Sequence, residues 1–184
     1  MVLSVRLYLV RHLPPEVEPG VCYGSSDLPV DSQRQTDALP ALRRQIPLGL
    51  PLFSSPLLRC ASLAHALSAQ VNFDARLAEL DFGNWEMRRW DDIARAEIDA
   101  WARDVVCYRP GGGESVLDMA TRVSAFFDAL KMVDLNTAVL VCHAGTIRLL
   151  AARARGLDPL AMAHEAAQRP HAIGYGEVII LDGV

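Results

Sequence analysis

Two apolar runs in the chain each end at a histidine. The first covers residues 5–12 (VRLYLVRH), and the second lies within residues 137–148 (TAVLVCHAGTIR), where a small-residue turn follows the histidine. Continuous runs of this kind predict strands that are buried on both faces of a parallel sheet. Ligands of such sheets bind beyond the carboxyl ends of the strands, so we expect Arg11, His12 and His143 to lie at one edge.

The rest of the chain alternates short apolar segments with stretches of helical spacing. Strands are predicted over residues 51–54 and 177–181. Helices are predicted from Asp31 or Ser32 to about residue 45, from Pro56-Leu57 onward, over 90–101, 115–132 and 144–155, and from Pro159. Pro40 should kink or break the first helix. The alternation indicates an α/β fold, a three-layer α/β/α sandwich around a mostly parallel central sheet.

Length and composition limit the classes of protein to consider. With 184 residues, 51% of them hydrophobic, residues 1–184 are predicted to form a single domain. The formal net charge of −4 favours a small-molecule ligand over nucleic acid or an acidic membrane. No apolar segment is long enough for a signal peptide or a membrane span, which predicts a cytoplasmic protein. Four scattered cysteines without a C-x-x-C pair are typical of reduced thiols.

Two further segments suggest chemistry near the histidines. The loop of residues 13–29 is rich in proline and is predicted to cover the site. Arg59 falls in the first turn of its predicted helix, where it opposes the helix dipole unless an anion is bound there. An ordinary solvated arginine is the alternative. Glu79 and Asp81 follow in an alternating segment, and the glycine-rich residues 109–115 lack the lysine and spacing of a Walker motif.

Five segments in this order resemble the histidine phosphatase superfamily, in the branch that includes cofactor-dependent phosphoglycerate mutases and α-ribazole phosphatases. They are LVRH (9–12), SSPLLRC (54–60), LAELDFGNWE (77–86), GGGES (111–115) and VCHAGTIR (141–148). The resemblance implies a nucleophilic His12, a phosphate clamp of Arg11 and Arg59, a second imidazole from His143, and Glu79 as the proton donor. It implies a small-molecule phosphate ester as substrate, with no metal and no other cofactor.

Supporting roles follow from the same resemblance. The backbone N–H groups of Gly145 and Thr146 are candidates for binding phosphoryl oxygens. Asp81 and Glu114 compete with Glu79 for the role of the acid. The sequence departs from the family at residues 13–15 (Leu-Pro-Pro), where glycine usually follows the nucleophile. Ser25 could then supply a hydroxyl in place of a contact from that loop.

The span between Trp85 and Arg109 is too short for the extra segments that mutases of this family carry, so the sequence predicts a phosphomonoesterase, with α-ribazole 5′-phosphate as one candidate substrate. The alternatives are a mutase-like phosphotransferase, a non-catalytic protein that binds phosphoryl ligands, and a metal site built from His12, His143 and Cys22. Five aromatic residues are candidates for the leaving-group side of the pocket or for the core: Tyr23, Trp85, Trp90, Trp101 and Tyr108.

Overall fold

The computed structural model of the chain describes residues 5–168 and 172–183. Its strands are β1 (Arg6–Arg11), β2 (Leu52–Ser54), β3 (Asn72–Phe73), β4 (Thr137–Cys142) and β5 (Val178–Leu181). Its α-helices are α1 (Ser32–Gln45), α2 (Leu58–Leu67), α3 (Arg95–Arg103), α4 (Val116–Lys131), α5 (Ala144–Ala154) and α6 (Pro159–Gln168). Short 3₁₀ turns occupy Ala75–Leu77, Gly83–Trp85, Trp90–Asp92 and Pro110–Gly112.

The strands form one sheet in the order β3-β2-β4-β1-β5. β1 pairs parallel with β4, β4 with β2 and β2 with β3, and β5 pairs antiparallel with β1. The register places Arg11 opposite Cys142, so the residues that follow β1 and β4 emerge side by side. This mostly parallel sheet confirms the predicted fold class.

Alternate residues of the two central strands enter different apolar layers. Leu7 and Leu9 of β1 pack with α4, α5 and α6, whereas Tyr8 and Val10 pack with α1 and α2. Because side chains alternate across a strand, a sheet covered on both faces needs apolar residues at every position. The continuous runs in the sequence are therefore explained by helices on both sides, which gives the three-layer sandwich.

Two sequence predictions about helices differ from the structure. The predicted early break at Pro40 is wrong, because α1 continues through it to Gln45. Pro40 is exposed, so the backbone carbonyl that loses its partner lies on the solvent side of the helix. In the helix predicted over 90–101, the first residues form a 3₁₀ turn (Trp90–Asp92) instead, and the α-helix begins only at Arg95. Among the described residues, no helix is both long and apolar enough to cross a membrane.

Candidate active site

His12 and His143 follow the adjacent ends of β1 and β4. Their ring centroids lie 5.0 Å apart with a 60° angle between the ring planes, and both side chains are buried. Two strands that are distant in sequence thus bring both imidazoles to one sheet edge, as the two histidine-ending runs predict.

The hydrogen bonding of His12 defines which ring nitrogen is free. Its Nδ1 lies 2.7 Å from the carbonyl oxygen of Leu13, and since a carbonyl can only accept, Nδ1 carries the proton. The lone pair of a neutral ring is then on Nε2. Burial, together with the charges of Arg59 and Arg11, lowers the pKa of His12 to about 3, which keeps the ring neutral near pH 7.

His143 is held by the side chains of Ser55 and Cys60. Its Nε2 lies 2.9 Å from the hydroxyl oxygen of Ser55 and 3.5 Å from the sulfur of Cys60. Burial, followed by the charge of Arg59, holds the pKa of His143 well below its usual range. The ring is fully buried beside His12.

Arg59 projects from the first turn of α2 and is fully buried. Its Nη1 donates to the carbonyl of Ser26 at 2.7 Å, and its Nη2 donates to the carbonyl of Gly24. The buried Nε–H has no hydrogen-bond partner in the structure. Arg59 is therefore not an ordinary solvated arginine, because it is held by the loop between β1 and α1 and keeps one donor unpaired.

Arg11, the last residue of β1, is held in a similar way by a loop near the end of the chain. Its Nη1 donates to the carbonyl of Ile173 at 2.5 Å, and its guanidinium carbon lies 3.8 Å from the centre of the Tyr175 ring. Its Nε is also buried without a partner. An unpaired buried donor costs about 1–3 kcal/mol, so two of them beside His12 indicate a place for an anion.

Glu79 lies across the cavity from these arginines. Its carboxylate accepts the backbone N–H of Leu80 at 3.0 Å and that of Gly145 at 3.2 Å. A Cβ at Gly145 would come within 2.4 Å of Glu79 Oε1, so the glycine lets this carboxylate take its present position against the start of α5. The N–H of Gly145 is directed to Glu79.

The two competing carboxylates occupy different surroundings. Asp81 accepts hydrogen bonds from the Ser25 hydroxyl at 3.0 Å and from the Gly83 N–H at 2.8 Å. Glu114 forms a half-buried ion pair with Arg122, with a shortest N···O distance of 2.6 Å. Both line a second cavity that touches Glu79 from the other side, whereas Glu79 also lines the cavity that contains His12. The geometry thus favours Glu79 as the group that reaches a ligand at His12.

The hydroxyl groups of Ser25 and Thr146 are directed elsewhere, and for Thr146 the predicted contact, from its backbone N–H, stays a prediction. The hydroxyl of Ser25 donates to Asp81 at the second cavity and lies within hydrogen-bond distance of Glu86. The hydroxyl of Thr146 is buried and donates to the carbonyls of Leu77 and Ala78. In this structure, the side chains that meet at His12 are Arg11, Arg59, Glu79 and His143, without these two hydroxyls.

Glu86 holds the loop that receives Arg59, a role that the sequence reasoning missed. Its carboxylate accepts the backbone N–H groups of Gly24, Ser25, Ser26 and Phe82, at 2.9–3.1 Å. Burial opposes its charge, but the hydrogen bonds from Ser26 and these backbone groups lower the pKa of Glu86. Its position at the end of the segment LAELDFGNWE was the only available signal.

The cavity at His12 has a volume of about 470 Å³ and a mixed lining. Arg11, His12, Arg59, Glu79 and Arg148 are its charged or titratable lining residues besides the tyrosines. Aromatic rings cover much of the remaining wall, from Tyr23, Phe82, Trp90, Trp101 and Tyr175. Trp90 and Trp101 stack nearly parallel, with 6.0 Å between centroids, and Phe82 stands perpendicular to both.

The other two aromatic candidates do not line this cavity. Trp85 is fully buried, and its indole N–H donates to Glu97 at 2.7 Å. Tyr108 packs against Trp85. Trp85 and Tyr108 therefore pack with the core, which was the alternative to lining the pocket.

No arrangement for a metal ion is found among residues 5–168 and 172–183, where no cluster of three or more His, Cys, Asp or Glu side chains could hold one. Cys22, the third ligand of the metal hypothesis, packs in a small apolar cluster with Trp85 and Ile93. The cysteine that contacts His143 is Cys60, and burial raises the pKa of its thiol.

These groups match the needs of phosphoryl transfer. The reaction requires cations around the phosphoryl oxygens, a nucleophile in line with the leaving oxygen, and a proton for that oxygen. Two guanidiniums, a neutral imidazole with a free Nε2 and a carboxyl group supply these in one cavity.

Comparison with known proteins agrees with this chemistry. A probable phosphoglycerate mutase GpmB of Salmonella paratyphi B is 30% identical over 165 residues, which cover 83% of this chain and 76% of the relative. The mycobacterial glucosyl-3-phosphoglycerate phosphatase superposes with a TM-score of 0.80 at 25% identity, covering 97% of this chain and 90% of that one. An Escherichia coli K-12 structure, a "putative alpha-ribazole-5'-P phosphatase", has the same TM-score, identity and coverage.

The sequence pattern of the histidine phosphatase superfamily (branch 1) matches residues 7–173, a range that includes both histidines, both arginines and Glu79. The chain belongs to the histidine phosphatase superfamily, branch 1.

Proposed function

We propose that this protein is a phosphomonoesterase that hydrolyses a small-molecule phosphate ester through a phosphohistidine at His12. The observation that carries the proposal is the set of unpaired groups in one cavity: the buried Nε–H of Arg11, the buried Nε–H of Arg59, and the free Nε2 of His12. A phosphoryl group has the charge and the acceptor oxygens to pair with both arginines while its phosphorus faces the imidazole.

In the first step, His12 Nε2 attacks phosphorus and the bond from phosphorus to the ester oxygen breaks. Glu79 gives its proton to the departing oxygen, so the alcohol leaves neutral and Glu79 becomes a carboxylate. The imidazole becomes positively charged while its phosphoryl group carries negative charge. The Nδ1–H bond to the Leu13 carbonyl stabilises the positive charge on the ring.

In the second step, water attacks phosphorus and the phosphorus–nitrogen bond breaks. The Glu79 carboxylate accepts a proton from that water, which restores the acid form, and His12 returns to the neutral ring. Inorganic phosphate is the second product. The charge is balanced throughout by side chains of the chain itself.

Trapping the intermediate tests this function. With p-nitrophenyl phosphate and a chelator present, the protein should release nitrophenolate and form an acid-labile, alkali-stable phosphoenzyme whose label maps to His12. His12→Asn should abolish the label, whereas the matched control His65→Asn, on the exposed face of α2, should retain it. Label on another residue would contradict the role of His12, and no turnover of several phosphomonoesters would favour a non-catalytic binding protein.

A mutase is the second candidate, because curated relatives at 30% identity are probable phosphoglycerate mutases. The short span between Trp85 and Arg109 supports hydrolysis, since it leaves little chain to exclude water from the phosphohistidine. Incubation with 3-phosphoglycerate and catalytic 2,3-bisphosphoglycerate should yield phosphate faster than 2-phosphoglycerate. The opposite ratio would establish the mutase.

The aromatic residues that line the cavity support a substrate whose leaving group carries a flat ring, and α-ribazole 5′-phosphate is a concrete candidate. Trp90 and Trp101 offer ring faces at the cavity that contains His12. We expect α-ribazole 5′-phosphate to be hydrolysed with a higher kcat/KM than ribose 5-phosphate, which lacks the base. Trp90→Leu should reduce that difference, and the exposed Phe73→Leu should leave it unchanged.

A further inference from the structure

The loops that receive the two arginines meet through a pair of tyrosines. The hydroxyl oxygens of Tyr23 and Tyr175 lie 2.7 Å apart, within hydrogen-bond distance, although 152 positions separate them in the sequence. Both side chains line the cavity that contains His12.

Tyr23 belongs to the loop held by Arg59. Arg59 donates to the carbonyls of Gly24 and Ser26, and Glu86 accepts the N–H groups of that same stretch. The Tyr23 ring itself lies 5.6 Å from the guanidinium carbon of Arg59. The position of this ring is thus tied to the position of Arg59.

Tyr175 belongs to the turn held by Arg11. Its ring stacks on the Arg11 guanidinium at 3.8 Å and lies 5.5 Å from the His12 ring. The next residue, Gly176, donates its N–H to the backbone carbonyls of Arg11 and His12. The turn is therefore fixed to the backbone that carries the nucleophile.

We propose that Tyr23 and Tyr175 are positioning residues that join Arg11 and Arg59 into one phosphate clamp. The hydroxyl–hydroxyl contact completes a chain of interactions that runs from Arg59 through the loop of residues 23–26 to Tyr23, then to Tyr175 and Arg11. A displacement of either guanidinium is thus opposed by contacts that reach the other one, which keeps both arginines in place at the cavity. The inference rests on the proposed function, because it assigns the clamp to phosphate.

The hydroxyl–hydroxyl contact persists at neutral pH. In a pair of hydroxyls, one proton lies between the oxygens, and the accepting hydroxyl keeps its own proton. Burial, followed by the hydrogen bond to Tyr175, raises the pKa of Tyr23, so that hydroxyl remains protonated at neutral pH.

Calorimetric titration with inorganic phosphate tests the clamp without depending on turnover. Tyr23→Phe and Tyr175→Phe each keep the ring and lose the hydroxyl, and each should raise the phosphate dissociation constant about 5-fold, the effect of one neutral hydrogen bond. The double variant should be no weaker than the weaker single variant, because both substitutions remove the same contact. Tyr175→Leu should weaken binding further, since it also removes the ring from Arg11.

Tyr108→Phe is the matched control, because Tyr108 packs against Trp85 outside this cavity and should bind phosphate as the wild type does. Independent losses that multiply in the double variant would overturn the proposal, as would unchanged phosphate binding in both single variants. Thermal unfolding of each variant separates a loss of fold from a loss of clamp. If the wild-type protein itself fails to bind phosphate, the proposed function falls, which is a different outcome from the failure of the clamp.

Discussion

The carbonyl oxygen of Leu13 accepts the Nδ1–H of His12 at 2.7 Å, so the residue after His12 sets the tautomer of its ring. The Leu13 side chain is 5% exposed and packs in the layer formed with Val10 and Val178. Pro14 restricts Leu13 to extended conformations, which fixes the direction of that carbonyl. The Leu-Pro sequence that replaces the usual glycine therefore holds the ring of His12 in its orientation through the backbone.

Arg59 should not be replaceable by lysine. Arg59→Ala is expected to lower kcat/KM by about 10³-fold or more, because a guanidinium that neutralises the phosphoryl group is lost. Arg59→Lys should recover little, because an ammonium cannot donate to two loop carbonyls and to the ligand in the same planar geometry. Steady-state kinetics with p-nitrophenyl phosphate measures both, with the exposed Arg34→Ala as control. A lysine variant as active as the wild type would contradict this.

Glu79→Gln should separate acid catalysis from support of the site. Alkyl phosphates need a proton on the leaving oxygen, so their hydrolysis should fall about 10²–10⁴-fold, whereas nitrophenolate departs without one. The burst of nitrophenolate should therefore be nearly preserved, even if later release of phosphate slows. Rapid-quench measurement of the burst is the check, and Asp81→Asn is the matched control at the second cavity. Equal losses for both substrates would remove Glu79 from the role of the acid.

The free energy of unfolding of the ligand-free protein should decrease as the pH is lowered. The pKa of His12 is lowered to about 3, and that of His143 also lies well below its usual range, while unfolded histidine titrates near 6.5. Below about pH 6.5 the unfolded state binds more protons than the folded state does. The stabilisation from the two neutral histidines is therefore complete above pH 6.5 and is lost as the pH falls toward 3. Each histidine can remove up to about 1.4 kcal/mol per pH unit.

Urea unfolding between pH 4 and 7 measures that slope. His12→Asn should flatten it, and His65→Asn should not, because His65 is exposed on α2. An unchanged slope for His12→Asn would show that His12 does not titrate as its burial implies.

Glu86→Gln should loosen the loop of residues 24–26. The amide replaces one acceptor oxygen by a donor, so some of the N–H groups now bound to Glu86 become unpaired, at a cost of about 1 kcal/mol or more. Arg59 depends on the same loop, so KM should rise more than kcat falls. Urea denaturation and kinetics test both effects, with exposed Glu18→Gln as control. A variant with normal stability and a normal KM would exclude this role.

The central strands and the histidines were predictable because both depend on local sequence. Residues 137–142 are apolar at nearly every position, which by itself indicates a strand that is buried on both faces of a sheet. The register of β1 with β4 then brings His12 to His143. Arg11, Arg59 and Glu79 lie in the short motifs that carry the resemblance to the histidine phosphatase superfamily, and their roles were predicted from that resemblance. These parts of the site needed no knowledge of distant contacts.

The remaining parts depend on contacts between distant segments. Tyr175 stacks on Arg11 in the structure, but nothing in the sequence near Tyr175 indicates that pairing. Trp85 and Trp90 are five positions apart, yet the first is core and the second lines the cavity. Ser25 has the right chemistry, but Asp81 takes its hydroxyl.

The pairing of β1 with β4 also bears on how the enzyme comes into being during synthesis. β1 leaves the ribosome before its partner β4, which follows only after helices α1 to α4 have been made. Contacts this distant in sequence form late, because the loop between them must first be closed. His12 therefore gains its neutral, oriented state beside His143 only when these strands have paired, and a partly folded chain carries His12 without the contacts that orient it.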